Sequence, residues 1–194
     1  MSIAEDEARK MFHDRIRFKF HCAEQHLNSL KSYAEAKDAE GNKEFYNKTY
    51  GIRIRWEDET ECVLFHLIGA IDALLFRMNE KFRFGLLPYE INLKKVSEKL
   101  SKEHKDLRSL LKPAVEGTDW LYCLIKLRNM GTHRNSLNVK VARSIGDDSI
   151  PQVTSLRYAP DIDVISFLDE SLHKMKQLIY GIIEKEADLK FVPE

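Results

Sequence analysis

The stretch CVLFHLIGAIDALLFRM, residues 62–78, decides the fold. Leu64, Leu67, Ile68, Ile71, Leu74, Leu75 and Met78 recur at steps of three and four, which is the period of one helix face. The other side carries Cys62, His66, Gly69 and Ala73, which are mostly small. A helix that is apolar on one side and small on the other belongs at the centre of a bundle, with close neighbours on both sides. The spacing predicts a helix from about Asp58 to Lys81. The acidic cluster Glu57, Asp58, Glu59 and Glu61 is expected at its positive, N-terminal end.

Working outward, Phe12, Ile16, Phe20, Ala23, Leu27 and Leu30 predict a first helix from about Ile3 to Lys37. Val164, Ile165, Leu168, Leu172, Met175, Leu178, Ile179, Ile182 and Ile183 give the last, about Asp161 to Leu189. Two shorter helices are expected between them, about Tyr89 to Lys102 and His104 to Leu111, the second closed by Pro113. A third is expected from about Trp120 to Met130, capped by Thr118 or Asp119 and stopped by Gly131. Two segments read as irregular. In residues 40–56, Tyr50, Ile52, Ile54 and Trp56 alternate with polar or small residues, as in a short strand or extended loop. In residues 135–160, the runs Val139 to Ala142 and Gln152 to Leu156 suggest a β-hairpin around Gly146-Asp147. The expected architecture is all-α: one domain over residues 1–194, a helical bundle of about five main helices with a loop or short β-hairpin insertion before the last.

Composition agrees with helices. Only 8 Gly and 5 Pro occur in 194 residues, with 43% hydrophobic and 32% charged. The 31 Lys and Arg balance 31 Asp and Glu, which excludes a generic polyanion binder but not a local basic groove. Cys22, Cys62 and Cys123 lie far apart among apolar neighbours and read as three buried thiols in a reducing compartment. Met1 to Lys10 is acidic and lacks the pattern of a signal peptide. The apolar run Cys62 to Phe76 is too short and too interrupted to span a bilayer. The expectation is a cytoplasmic protein without a membrane partner.

The chemistry-bearing stretch is LRNMGTHRN, residues 127–135. Arg128 lies one turn after Leu124 and two after Leu121, so it extends an apolar stripe and needs an anionic or carbonyl partner. In an unbroken helix His133 would sit about 140° around the axis from Arg128. A break at Gly131-Thr132 is what would bring the two side chains to one site. Asp72, between Ile68 and Leu75, is likewise expected on an apolar face, with Arg128 as its partner. His66 reads as a packed core histidine. His13, His21, His26, His104 and His173 read as scattered and solvated, without metal-ligand spacing. From Lys94 to Lys112 basic residues outnumber acidic ones by four. Arg15, Arg17, Lys19, Arg53 and Arg55 add to them, and such residues would track an RNA backbone if they bordered the site.

Arg128, Asn129 and His133 near the end of a bundle helix resemble the motif of the HEPN superfamily. That motif is an Arg, a favoured polar residue directly after it, and a His after four to six residues. The resemblance implies a metal-independent endoribonuclease acting as a homodimer, with the Arg-His motifs of two subunits facing each other across one cleft. His133 would serve as general base or acid on the ribose 2′-OH or the leaving oxygen. Arg128 would stabilise charge on the phosphoryl group, and Asn129 would orient the His or hold a phosphate oxygen. The product would carry a 2′,3′-cyclic phosphate, since the nucleophile is internal to the RNA. Family members often carry a second-helix acidic residue near the motif, a role for Asp72 or Glu61. No cofactor or metal is implied, and the implied setting is toxin or defence biology. Some HEPN toxins have Tyr two residues after the His, where this chain has Asn135. Other members have lost catalysis and only bind RNA or nucleotides, or dimerise.

Overall fold

The structure, a computed structural model, describes residues 14–35, 49–100, 104–117, 119–133, 140–142, 152–156, 159–160 and 163–190. Six helices run in the order α1 (Arg15–Glu35), α2 (Thr49–Lys81), α3 (Leu93–Lys99), α4 (Lys105–Glu116), α5 (Trp120–His133) and α6 (Val164–Lys185). Short 3-10 turns cover Pro88–Glu90 and Ala187–Leu189. Before α6 come three short antiparallel strands, β1 (Lys140–Ala142), β2 (Gln152–Leu156) and β3 (Ala159–Pro160), in that order across the sheet. The all-α bundle with a hairpin insertion is therefore present. No helix of the described residues is long and apolar enough to cross a membrane.

α2 is the central element. Its predicted stripe from Leu64 to Met78 is buried throughout, joined by Val63 and Ala70 on its flanks. α1 runs antiparallel to it, since Asp14 pairs with Arg77 while His26 pairs with Glu59. α6 runs antiparallel to α1, as shown by Lys31 with Asp169, Glu24 with Lys176, and the Phe20 ring against Tyr180. Ile16, Phe20, Ala23, Leu27 and Leu30 fill the space between them. α5 closes the bundle by burying Leu121, Leu124 and Leu127.

Several boundaries differ from the sequence reading. Residues 49–56 are helical, so the alternation from Tyr50 to Trp56 is the opening of α2 and not a strand or loop. The cluster Glu57–Glu61 therefore lies inside the helix, away from the positive terminus. α4 continues through Pro113 to Glu116 and ends at Gly117, whose N–H reaches the Pro113 carbonyl. α5 runs on through Gly131 to His133. α6 starts at the cap Asp163, whose carboxylate accepts from the Ser166 N–H at 2.7 Å. Residues 3–13, predicted to open the first helix, Gly146-Asp147 and Asn135 lie outside the described residues.

Candidate functional site

Arg128 opens onto a groove of about 560 Å³. Its floor is the outer stripe of α2: Phe65, Ile68, Gly69, Asp72, Ala73, Phe76, Arg77 and Glu80. These residues follow one another at alternating steps of three and one, so they form a ridge along one helix face. Arg15 and Lys19 of α1 form one wall, and Arg128 of α5 stands on the other. Phe65 and Phe76 are large apolar side chains left exposed, at 52% and 41%.

Asp72 stands at the middle of this floor. It is exposed to solvent and not on a buried apolar face, which corrects the expectation from Ile68 and Leu75. The walls nevertheless thin its hydration, and this pushes its carboxyl above the ordinary carboxylate value, although Arg128 and Lys19 pull it down. Arg128 and Lys19 thus both act electrostatically on an exposed Asp72, and not as partners of a buried carboxylate. Lys19 lies against Gly69, where a Cβ would come within 2.9 Å of its Cε, and its Nζ sits 4.4 Å above the Phe65 ring. Partial burial and the nearby Arg15 charge lower its pKa, against the pull of Cys22 and Asp72.

The remaining candidates are distributed differently. Asn129 is exposed on α5. His133 ends α5, and the unbroken helix sets its position about 140° around the axis from Arg128. The expected break at Gly131 does not occur. Glu61 is half-buried and raised by burial and by Glu57 and Asp58. It lies about 16 Å before Asp72 along α2 by helical rise and does not line the groove. Of the basic run, Lys105, Arg108 and Lys112 line a separate groove of about 420 Å³ with Ser97 and Glu116, while Lys95 pairs with Glu90. The groove's cations therefore come from α1, α2 and α5. Arg77, one of them, donates to Asp14 at 3.1 Å and to the Leu189 carbonyl at 2.8 Å.

Beyond the Phe65 end lies a histidine pair that the sequence reading separated. His26 Nδ1 is 2.6 Å from Glu59 Oε2, and its ring stacks on His66 with centroids 5.5 Å apart and planes 14° apart. His66 Nδ1 is shut off from solvent and has no hydrogen-bond partner among the described residues. Burial first, then Lys19, His26 and Arg15, lower the His66 pKa to about 4. His26 is thus half-buried and paired, not solvated. So is His104, beside Glu186 at 3.3 Å and Phe82. The cysteines are free; Cys22 and Cys62 are half-buried and Cys123 is exposed, so the reading of three buried thiols fails. Among the described residues no group of three or more His, Cys, Asp or Glu is placed to hold a metal ion.

The sequence reading missed Phe65 and Phe76 as site residues. The available signal was their spacing: eleven residues bring a helix back to within about 20° of the same direction. No protein-family model, curated protein or solved structure matches the chain.

Proposed function

We propose that the chain is an HEPN-like, metal-independent endoribonuclease that works as a cytoplasmic homodimer. The observation that carries this reading is the placement of Arg128. The first residue of the Arg128-Asn129-(x3)-His133 motif stands in a groove lined by Arg15, Lys19 and Asp72, inside a helical bundle. In the proposed reaction His133 takes the ribose 2′ proton and the 2′ oxygen attacks the adjacent phosphorus. The 5′ oxygen of the next nucleotide leaves and is protonated, giving a 2′,3′-cyclic phosphate. Arg128 spreads the charge that grows on the non-bridging oxygens through a guanidinium fork. Exposed Asn129 is free to hold a phosphate oxygen or orient the imidazole.

The rotation of about 140° between Arg128 and His133 supports drawing a site from two chains, the Arg from one and the His from the other. The same rotation favours a second reading, a non-catalytic RNA-binding or dimerisation module on the same bundle.

The deciding experiment incubates RNA with the protein in EDTA. Cleavage that leaves a cyclic phosphate and is lost in both Arg128→Ala and His133→Ala is the expected result. Cleavage that persists in either variant would reject the assignment. Binding without cleavage of any RNA would select the second reading.

A further inference from the structure

The groove holds a feature that the motif does not require: a lysine that reaches from its α1 wall onto the floor at Gly69. Lys19 lies where Gly69 lacks a side chain, with its Nζ over the face of Phe65 and Asp72 one turn along. A glycine in the middle of a 33-residue helix is a poor helix former. Here it makes room for the lysine stem, which any Cβ would displace. Arg15 brings a second positive charge to the same wall. Asp72 is a carboxylate that pulls on Lys19. Like charges are therefore concentrated beside a half-exposed aromatic face, in a chain whose net charge is zero.

We infer that Lys19, Arg15 and Phe65 form a subsite for one nucleotide unit of a single RNA strand, with its phosphate on the two cations and its base on the Phe65 ring. The chemistry matches at both ends. A phosphate adds to the counter-charge that Asp72 gives Lys19 on this wall. A base is flat and apolar enough to take the Phe65 face once Lys19 swings to the phosphate. Phe76 lies about 16 Å further along the same ridge and offers a second platform for a base beyond Asp72. The inference rests on the reading that RNA is held in the Arg128 groove, and it assigns the part of that groove remote from the motif's histidine.

The test measures binding of a fluorescent, 2′-O-methylated single strand of about ten nucleotides, a length within ordinary single-strand sites. The 2′-O-methyl groups prevent cleavage, so binding is read apart from catalysis. Phe65→Ala and Lys19→Ala should each weaken binding about tenfold. Gly69→Ala should weaken it similarly by unseating Lys19, while the helix becomes no less stable. Lys99→Ala, an exposed cation on α3 outside the groove, should leave it unchanged. Equal losses from Lys99→Ala and Lys19→Ala would overturn the subsite, because charge alone would then be read. Wild-type affinity in Phe65→Ala and Gly69→Ala would also overturn it. So would dissociation of a dimer by Phe65→Ala, which would give the groove to a second copy. Displacement of the strand by equimolar adenosine monophosphate would overturn the strand as occupant in favour of a free nucleotide. Loss of cleavage in wild type with this binding pattern intact would reject the ribonuclease reading and leave the subsite standing.

Discussion

At the scale of single residues, His66 shows how position sets chemistry. Its ring is pressed between His26 and Phe65, with Lys19 and Arg15 close by, and Glu59 is already engaged by His26. Its protonated form is disfavoured, and its pKa falls from 6.5 to about 4. Between those values an unfolded His66 binds a proton that the folded one refuses, so stability rises with pH across this window and falls on acidification from about pH 6.5 to about pH 4. Urea unfolding across that range should show a shallower acid loss in His66→Gln than in wild type; parallel curves would remove His66 as the cause. Arg77 is the opposite case. It serves buried Asp14, which also caps α1 by accepting from the Ile16 N–H at 3.1 Å. Arg77→Met leaves that carboxylate, among the described residues, only the exposed Arg17 as cation, 3.4 Å away, and should cost about 2 kcal/mol in chemical denaturation; a loss below about 1 kcal/mol would show that Arg17 and solvent already carry the charge. Neither pair was visible in the sequence. His26 and Glu59 are 33 positions apart, and Asp14 and Arg77 are 63 apart. No local spacing links them until the antiparallel packing of α1 on α2 is known. Asp72 and Arg128 were singled out because each breaks an apolar pattern in the sequence, but Asp72 is exposed, and the two share a groove and not a buried face.

At the scale of elements, apolar periodicity located every main helix, and its failures fall at helix ends. Tyr50 to Trp56 alternates over too few residues to separate strand from helix. The long apolar face downstream decides it, because a formed helix extends at one hydrogen bond per added residue. Pro113 removes a single hydrogen bond in the last turns of α4, and packing of Leu107, Leu111 and Ala114 outweighs that loss. Gly131 weakens α5 without ending it, at about 1 kcal/mol relative to alanine. The glycine that does end a helix is Gly117, which adopts φ +75° with the Tyr122 ring 3.3 Å from where a Cβ would stand. Gly117→Ala must bear the left-handed backbone and displace that ring, so thermal unfolding should show a loss of about 1–2 kcal/mol. An unchanged melting temperature would mean that the α4–α5 turn rearranges freely.

At the scale of the molecule, the zero net charge hides a local separation along α2. Glu57, Asp58, Glu59 and Glu61 gather on the first half of α2, while Arg15, Lys19, Arg77 and Arg128 surround its second half. The sequence displayed the balance; only the packing of α1 and α5 onto α2 shows where the positive part converges. If a site takes Arg128 from one chain and His133 from another, whole-molecule complementation follows. A dimer joining an Arg128→Ala chain to a His133→Ala chain has one site with both groups and one with neither. Random reassociation of equal amounts makes about half of the dimers mixed, each with one of two sites working, so about a quarter of wild-type cleavage should return from two inactive proteins. Sites contained within one chain would lack a group in every combination, and the mixture would stay as inactive as its parts. The readout compares two chain assignments of the same residues, so it does not depend on the RNA sequence chosen, only on an RNA that wild type cuts.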